Sequence, residues 1–177
     1  MTIKPLKTAA ALAAAGDLDS LSAASVLALS ATAIDSVPAN VLVGIGAANI
    51  AALSLEQVEA LTAPQLTALN TAGLLDNLGH PLTQAQIQGL GYTNMDSADK
   101  VALFNSAVHS AGGTSALSLS DIAGGVQAVL TAVGAGTGTV TVANLQALGL
   151  SGANTGNLAA IQAALDGINS ASLVDSI

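Results

Sequence analysis

The segment closest to cofactor chemistry spans residues 41–49, where an aliphatic start leads into Gly44, Gly46 and Asn49 with GxGxxN spacing. In dinucleotide-binding domains, small residues at this spacing let the backbone approach a pyrophosphate, and an acidic residue follows a second strand. Here Asn49 occupies the third small position, and both glycines fall where an eight-residue repeat needs turns. We therefore interpret them as turn residues. The glycine-rich run 134–138 precedes a β-prone segment instead of following one, which also argues against a phosphate cradle.

The two histidines are the next candidates for chemistry. His80 precedes Pro81 in an apparent linker, and His109 ends a predicted helix, where an interaction with the helix dipole explains its position. Neither histidine has a carboxylate at a spacing typical of a metal site.

Two pairs of acids, Asp17 with Asp19 and Asp96 with Asp99, could bind calcium weakly through their carboxylates. We favour the interpretation that they are acids at helix N-termini, where they interact favourably with the dipole. The chain has no cysteine and no Gly-x-Ser-x-Gly elbow. The sequence thus predicts no enzyme, no cofactor, and no catalytic or metal-binding residue, with weak calcium binding as the alternative.

Composition restricts the possible partners. Of the 177 residues, 51% are hydrophobic, 8% are charged and 1% are aromatic, and the formal net charge is −8. Lys4, Lys7 and Lys100 are the only lysines or arginines, so we predict no binding to nucleic acids or anionic membranes. Few aromatics means few anchors for deep ligand pockets. Few charges means weak protection against self-association.

Residues 1–16 resemble a signal peptide only loosely, because the apolar part is short and the repeat begins within it. Two charge-free stretches, 36–55 and 122–165, raise the question of membrane spans. The first contains Pro38, Asn40 and Asn49 and follows the repeat, and glycine-rich sequence interrupts the second. We expect neither a cleaved signal nor a membrane span.

An eight-residue repeat, here called the octad, occupies residues 14–77 and is the most informative feature of the chain. In seven consecutive octads the fifth and eighth residues are aliphatic, and the eighth octad, 70–77, is imperfect. The aliphatic pairs are Leu18/Leu21, Val26/Leu29, Ile34/Val37, Leu42/Ile45, Ile50/Leu53, Val58/Leu61 and Leu66/Leu69.

Neither one long helix nor one strand accommodates this spacing. An α-helix turns about 100° per residue, so the apolar stripe would rotate by about 80° per octad. In a strand, residues three apart point to opposite faces. The chain must therefore turn within every octad, and each pair should face a shared core.

The octad openings predict where the helices begin. Residues 54–57 and 62–65 match the capping box, in which a hydroxyl caps the helix and the third helical side chain reaches back. Ser22 and Ser30 are N-cap candidates, and Pro64 suits a first helical turn. Each octad should form a very short capped helix followed by a tight turn.

Residues 82–177 contain two divergent copies of a helix–turn–helix pattern. Segment 82–91 is similar to 140–149, and each is followed by a polar turn and an apolar helical stretch, 98–109 or 156–167. Between the copies we predict a helix at 120–133 and a flexible, then β-prone segment at 134–142. The expected apolar helix faces are Val101, Phe104 and Val108 in the first copy and Leu158, Ile161 and Leu165 in the second.

The repeats share recognisable sequence patterns. They are octads of the form ALTxxQ(V/I)xAL, and units such as VTVANLQALGLSGANTGNLAAIQAAL and DSADKVALFNSAV. These patterns resemble helical tandem repeats of very large bacterial extracellular proteins. These include adhesins and biofilm-matrix proteins that are exported without a classical signal peptide, often by type I secretion. In residues 14–77 the resemblance rests on the eight-residue period, and in residues 82–165 it rests on local sequence patterns. It implies a structural role outside the cell or at the cell surface.

The sequence predicts an all-α fold with an N-terminal arm (1–13) and a solenoid of short capped helices (14–78). Two helix–turn–helix units joined by a Gly/Thr-rich, partly β-prone segment follow (79–177). The predicted function is self-association into a filament, matrix or surface layer, with copies of the chain or neighbouring repeat modules as partners. The exposed end of the octad stack could supply the contact. The other candidate self-association residues are Thr139, Val140, Thr141 and Val142.

The alternative function is an adhesin or binding module that recognises a glycan or a protein partner. Glycan sites usually need aromatic platforms, and only Tyr92 and Phe104 are available. A structural protein is therefore the leading hypothesis.

Overall fold

The computed structural model of the chain describes residues 21–112, 115–133 and 140–168. Every regular element within these residues is helical, which confirms the all-α prediction. Contacts divide them into two compact units. The first contains residues 21–81 with 115–116, and the second contains residues 82–112, 117–133 and 140–168.

Short helices follow one another along the first unit. They are α1 Ala23–Leu27, α2 Ala31–Ile34, α3 Ala39–Gly44, α4 Ala47–Ala51, α5 Leu55–Glu59, α6 Ala63–Thr71 and the 3₁₀ helix Leu75–Asn77. From residue 22 to residue 69, each octad contributes one α-helix, as the repeat predicts.

The first residue of each of these octads is the helix N-cap, and its backbone explains why the chain turns. All six N-caps have ψ angles between 139° and 163°, so no helix can run through the first residue of any of these six octads. At Gly46, φ is +82°, a conformation that favours glycine. The N-caps are Ser22, Ser30, Pro38, Gly46, Ser54 and Thr62.

The aliphatic pairs form the core of the first unit, which confirms their predicted orientation. Both members are buried in every octad from residue 30 to residue 69. In octad 22–29, Val26 is fully buried and Leu29 is half-buried.

Helices three octads apart pack against each other. Helix α2 contacts α5, and α3 contacts α6. The 3₁₀ helix lies against both α4 and α6. A short helix that cannot bury its apolar side alone therefore buries it against a helix three octads further along the chain.

The second unit contains short helices together with the two longest helices of the described residues, placed close to the predicted positions. The elements are α7 Gln84–Gly89, α8 Ala98–Ser110, α9 Leu119–Ala132, α10 Val142–Ala147 and α11 Leu158–Asp166. Helix α9 is central, since it packs against α8, α10 and α11. On α8, Phe104 and Val108 are buried, whereas the predicted apolar face of α11 is only half-buried.

The two predicted copies share their local geometry. Thr83 and Thr141 are N-caps with capping boxes at α7 and α10. After each helix a glycine adopts positive φ, 102° at Gly91 and 91° at Gly149. In the equivalent turns, Gln88 Nε2 donates to the Met95 carbonyl at 3.2 Å, and Gln146 Nε2 donates to the Ala153 carbonyl at 3.0 Å.

The β-prone prediction for residues 134–142 is wrong at its C-terminal end. Thr141 is the N-cap of α10, and Val142 is the first residue of that helix. The Thr141 N–H and hydroxyl both donate to Asn144 Oδ1, at 3.0 and 2.7 Å, so a local capping box outweighs the β propensity of Thr and Val.

Several predicted features fall outside the described residues. They are the N-terminal arm, most of the first octad with Asp17 and Asp19, the glycine-rich run 134–138, and Thr139. Across residues 21–112, 115–133 and 140–168, no helix is both long enough and apolar enough to cross a membrane.

Candidate functional site

The most deeply buried polar side chains in the described residues are amides. Gln57, Gln65, Gln86 and Asn105 are each less than a tenth exposed. A buried amide without hydrogen-bond partners costs stability, so the partners of these groups show what they do.

Gln57 joins two helices that are four octads apart. Its Oε1 accepts from the Ser54 N–H at 3.0 Å, which caps the start of α5. Its Nε2 donates to the carbonyl oxygens of Leu29 at 2.8 Å and Leu27 at 3.2 Å, at the end of α1. These carbonyls lie where a helix leaves its acceptors unpaired.

Gln65 repeats this arrangement one octad later. Its Oε1 accepts from the Thr62 N–H at 2.8 Å. Its Nε2 donates to the carbonyl oxygens of Ile34 and Val37, both at 2.8 Å, at the end of α2. We call this arrangement the glutamine double cap, because one side chain caps the start of its own helix and the end of an earlier one.

The sequence correctly indicated the capping boxes but not the second half of the double cap. A capping box accepts Glu or Gln at its third helical position equally well. The missed signal is that consecutive octads carry Gln there, directly before a buried aliphatic residue. Only the amide can donate a hydrogen bond as well as accept one.

The second unit also uses amides to hold the residue before a helix N-cap. Asn105 Oδ1 accepts from the Leu82 N–H at 2.7 Å, and Asn105 Nδ2 donates to the Leu82 carbonyl at 2.9 Å. In the second copy, Gln162 Nε2 donates to the Val140 carbonyl at 2.8 Å. Both copies therefore fix their first helix through an amide on their second helix.

The GxGxxN segment does not form a strand followed by a helix. Residues 41–44 belong to α3, with Val41 and Leu42 buried. Gly46 is the N-cap of α4, and Asn49 Nδ2 donates to the Ile45 carbonyl at 2.8 Å. Gly46 is a turn residue between octads, as predicted, whereas Gly44 is the last residue of α3.

The histidines lie in the two different units and occupy different local settings. Nδ1 of His109, in the last turn of α8, lies 2.8 Å from the Asn105 carbonyl oxygen. His80 lies near Glu56 at the start of α5. Backbone hydrogen bonding at Glu56 and the Ser54 hydroxyl lower the pKa of the Glu56 carboxyl, and His80 contributes least.

Of the acids proposed as weak calcium ligands, the described pair Asp96 and Asp99 lies at the start of α8. Asp99 lies in the first turn of α8. Asp96 accepts from Lys100 Nζ at 2.7 Å, and this hydrogen bond and the lysine charge lower the pKa of the Asp96 carboxyl. Lys100 also donates to the Asn94 carbonyl, so it ties the preceding loop to α8.

Of the candidate self-association residues, the described ones, 140–142, are only partly at the surface. Val140 is 1% exposed, and its carbonyl accepts from Gln162. Thr141 is exposed and Val142 is half-buried. These two residues are accessible at the start of α10, and their role in self-association stays a prediction.

Four surface depressions of the described residues, about 140 to 380 Å³ in volume, are lined by aliphatic, small and polar side chains without an aromatic ring. The available aromatics pack together instead. The Tyr92 and Phe104 ring centroids lie 5.9 Å apart, Phe104 is fully buried, and burial raises the pKa of Tyr92.

No family model, curated protein or solved structure matches the chain.

Proposed function

We propose that this chain is a non-enzymatic structural repeat protein that self-associates into a filament, matrix or surface layer outside the cell. Its octads would form a solenoid of short helices. The double cap is the observation that carries this proposal, because it commits buried polar side chains to joining one octad to another. In a protein built in this way, the buried polar side chains hold the repeats together.

The spacing of the contacts supports the solenoid. Helices three octads apart pack together, and glutamines bond to carbonyls four octads earlier. Both relations hold if the chain completes one superhelical turn in three to four octads. Stacked repeats of this kind bury a continuous core and present regular outer faces.

The surface of the octads supports self-association. The third residue of each octad from 22 to 69 is exposed, and the first four of these residues are uncharged: Ala24, Thr32, Asn40 and Ala48. Between residues 21 and 81 the chain has four acids and no lysine or arginine. Such a face offers little electrostatic repulsion to a second copy.

The extracellular or cell-surface location is proposed on the repeat phrasing together with the absence of cysteine from the sequence. Immunoblotting of culture medium, of a surface wash and of cell contents from the source organism tests the location. Recovery in the cell contents alone would contradict it.

Self-association is tested by sedimentation velocity and negative-stain microscopy over a wide range of protein concentrations. We expect oligomers that grow with concentration and ordered polymers at the highest values. A single monomeric species at every concentration would contradict the proposal.

Charge substitutions locate the contact. Thr32→Glu with Ala48→Glu places two acids on the exposed octad face, in helix first turns, where acids do not weaken the helix. We expect this variant to assemble less than the native chain. Gln84→Glu with Gln127→Glu adds the same charge at exposed positions of the second unit and serves as the matched control.

Val142→Glu tests the predicted contact at the start of α10.

A further inference from the structure

We infer that the double cap is a modular joint, in which the glutamine at the fourth position of an octad binds whichever octad lies four earlier. Octads can therefore be added to the first unit without redesign of the contacts between them. This inference concerns the single chain, and its tests are read on monomeric protein, separately from self-association.

The acceptors of the joint are main-chain atoms, which every octad supplies. Both glutamines donate at 2.8 Å to the carbonyl of the eighth residue, Leu29 or Val37. The second acceptor is the carbonyl of Leu27 in one case and Ile34 in the other. Because no side chain of the earlier octad takes part, its sequence does not restrict the partner.

The joint depends on the positions of the glutamine and its acceptors within the eight-residue repeat, here called the phase. Gln57 and Gln65 are one octad apart, and so are their acceptors, with the same sequence separation of 28 residues to the eighth-position carbonyl. An insertion of one whole octad preserves this relation for a new pair of octads. An insertion that is not a whole number of octads places the wrong atoms opposite the glutamine.

Side-chain length is the second requirement. Asn49 occupies the same octad position but is one methylene shorter, and its Nδ2 donates to Ile45 in the octad immediately before. Asparagine at this position therefore bonds locally, whereas glutamine reaches four octads back.

The test inserts a second copy of residues 46–53 between Leu53 and Ser54. In the variant, the octad four before Gln57 becomes residues 30–37. We expect a folded monomer in which the through-hydrogen-bond NMR coupling of the Gln57 side-chain nitrogen moves from the Leu29 carbonyl to the Val37 carbonyl. The phase control inserts residues 47–53 alone and should lose cooperative unfolding of the first unit.

Gln57→Asn in the native-length chain tests the length requirement. We expect this variant to fold, to lose the coupling to Leu29, and to show roughly tenfold faster amide exchange in α1. Gln57→Glu keeps the local cap but cannot donate, so it should also lose the coupling.

Four results would overturn the inference. They are an eight-residue insertion that does not fold, an inserted chain whose Gln57 coupling stays at Leu29 or disappears, a seven-residue insertion that folds equally well, and a Gln57→Asn variant that retains the coupling.

Discussion

At Gly125 the backbone of α9 approaches α10 so closely that only glycine fits. A Cβ atom on Gly125 would lie 2.7 Å from the Asn144 carbonyl oxygen and 3.0 Å from Leu148 Cγ. Both atoms belong to a packed helix interface, so they cannot move without separating α9 from α10. This is a sequence position where the fold, and not helix propensity, determines the residue.

Gly125→Ala should lower the free energy of unfolding by about 1–3 kcal/mol, the usual cost of overpacking. The neighbouring Gly124→Ala is the matched control, because its Cβ would meet nothing within 4 Å. Replacing glycine by alanine within an exposed helix turn should stabilise the protein by up to about 1 kcal/mol. Urea titrations followed by circular dichroism compare the two. Equal stability of both variants would contradict the close approach.

Asn105 is a buried amide that binds both backbone polar groups of one residue, Leu82. Asn105→Leu removes the partners of the Leu82 N–H and carbonyl together, and each buried unpaired group costs about 1–3 kcal/mol. Gln162→Leu in the second copy removes one bond, at a part-buried site, and should cost about 1 kcal/mol. Thermal unfolding of both variants checks this order. A smaller loss for Asn105→Leu would contradict the assigned role.

At the scale of the helices, two octads with the same opening residue differ in their caps. Ser54 Oγ accepts from the Gln57 N–H at 3.3 Å, whereas Ser30 makes no cap bond and pairs with the Thr32 hydroxyl at 3.0 Å. Ser54→Ala should therefore destabilise the first unit by about 1 kcal/mol, and Ser30→Ala by clearly less. Amide hydrogen exchange in α5 and α2 measures each effect locally. A larger effect at Ser30 would contradict the cap assignment.

The octad helices could be predicted from sequence because their signals are local. Aliphatic pairs with a fixed period force one turn per octad, and the capping boxes at Ser54 and Thr62 predict where two of the helices begin. The contact between α1 and α5 could not be predicted in this way. It depends on small rotations that accumulate over four octads, and its acceptors are main-chain carbonyls that carry no sequence signal.

The β-prone prediction failed at Val142, which lies in α10, although the signal for the helix start is local. Intrinsic β propensity is a weak preference, whereas a capping box satisfies helix-start donors directly. The similar segment at Thr83 contained the correct signal, because Thr83 and Gln86 form the same kind of box. Comparison of the two copies predicts the helix start at Thr141, whereas residue propensity does not.

At the scale of the whole molecule, the excess of acids over bases makes association sensitive to pH. The formal net charge is −8 at pH 7, and the isoelectric point is about 4.1. Lowering the pH from 7 to the isoelectric point protonates carboxylates and brings the net charge to zero. As they take up protons the mutual repulsion of the copies disappears. The lowered pKa values of Glu56 and Asp96 keep these two groups charged to a lower pH than an ordinary carboxyl group.

Light scattering measured as the pH is lowered should therefore rise steeply near pH 4, with little change between pH 8 and pH 6. Gln84→Lys with Gln127→Lys adds two positive charges at exposed positions and should move the rise to higher pH. Added salt at pH 7 should act in the same direction as acid, because it screens the same repulsion. Scattering that falls on acidification, or a rise that the lysine variant leaves in place, would show that net charge does not control association.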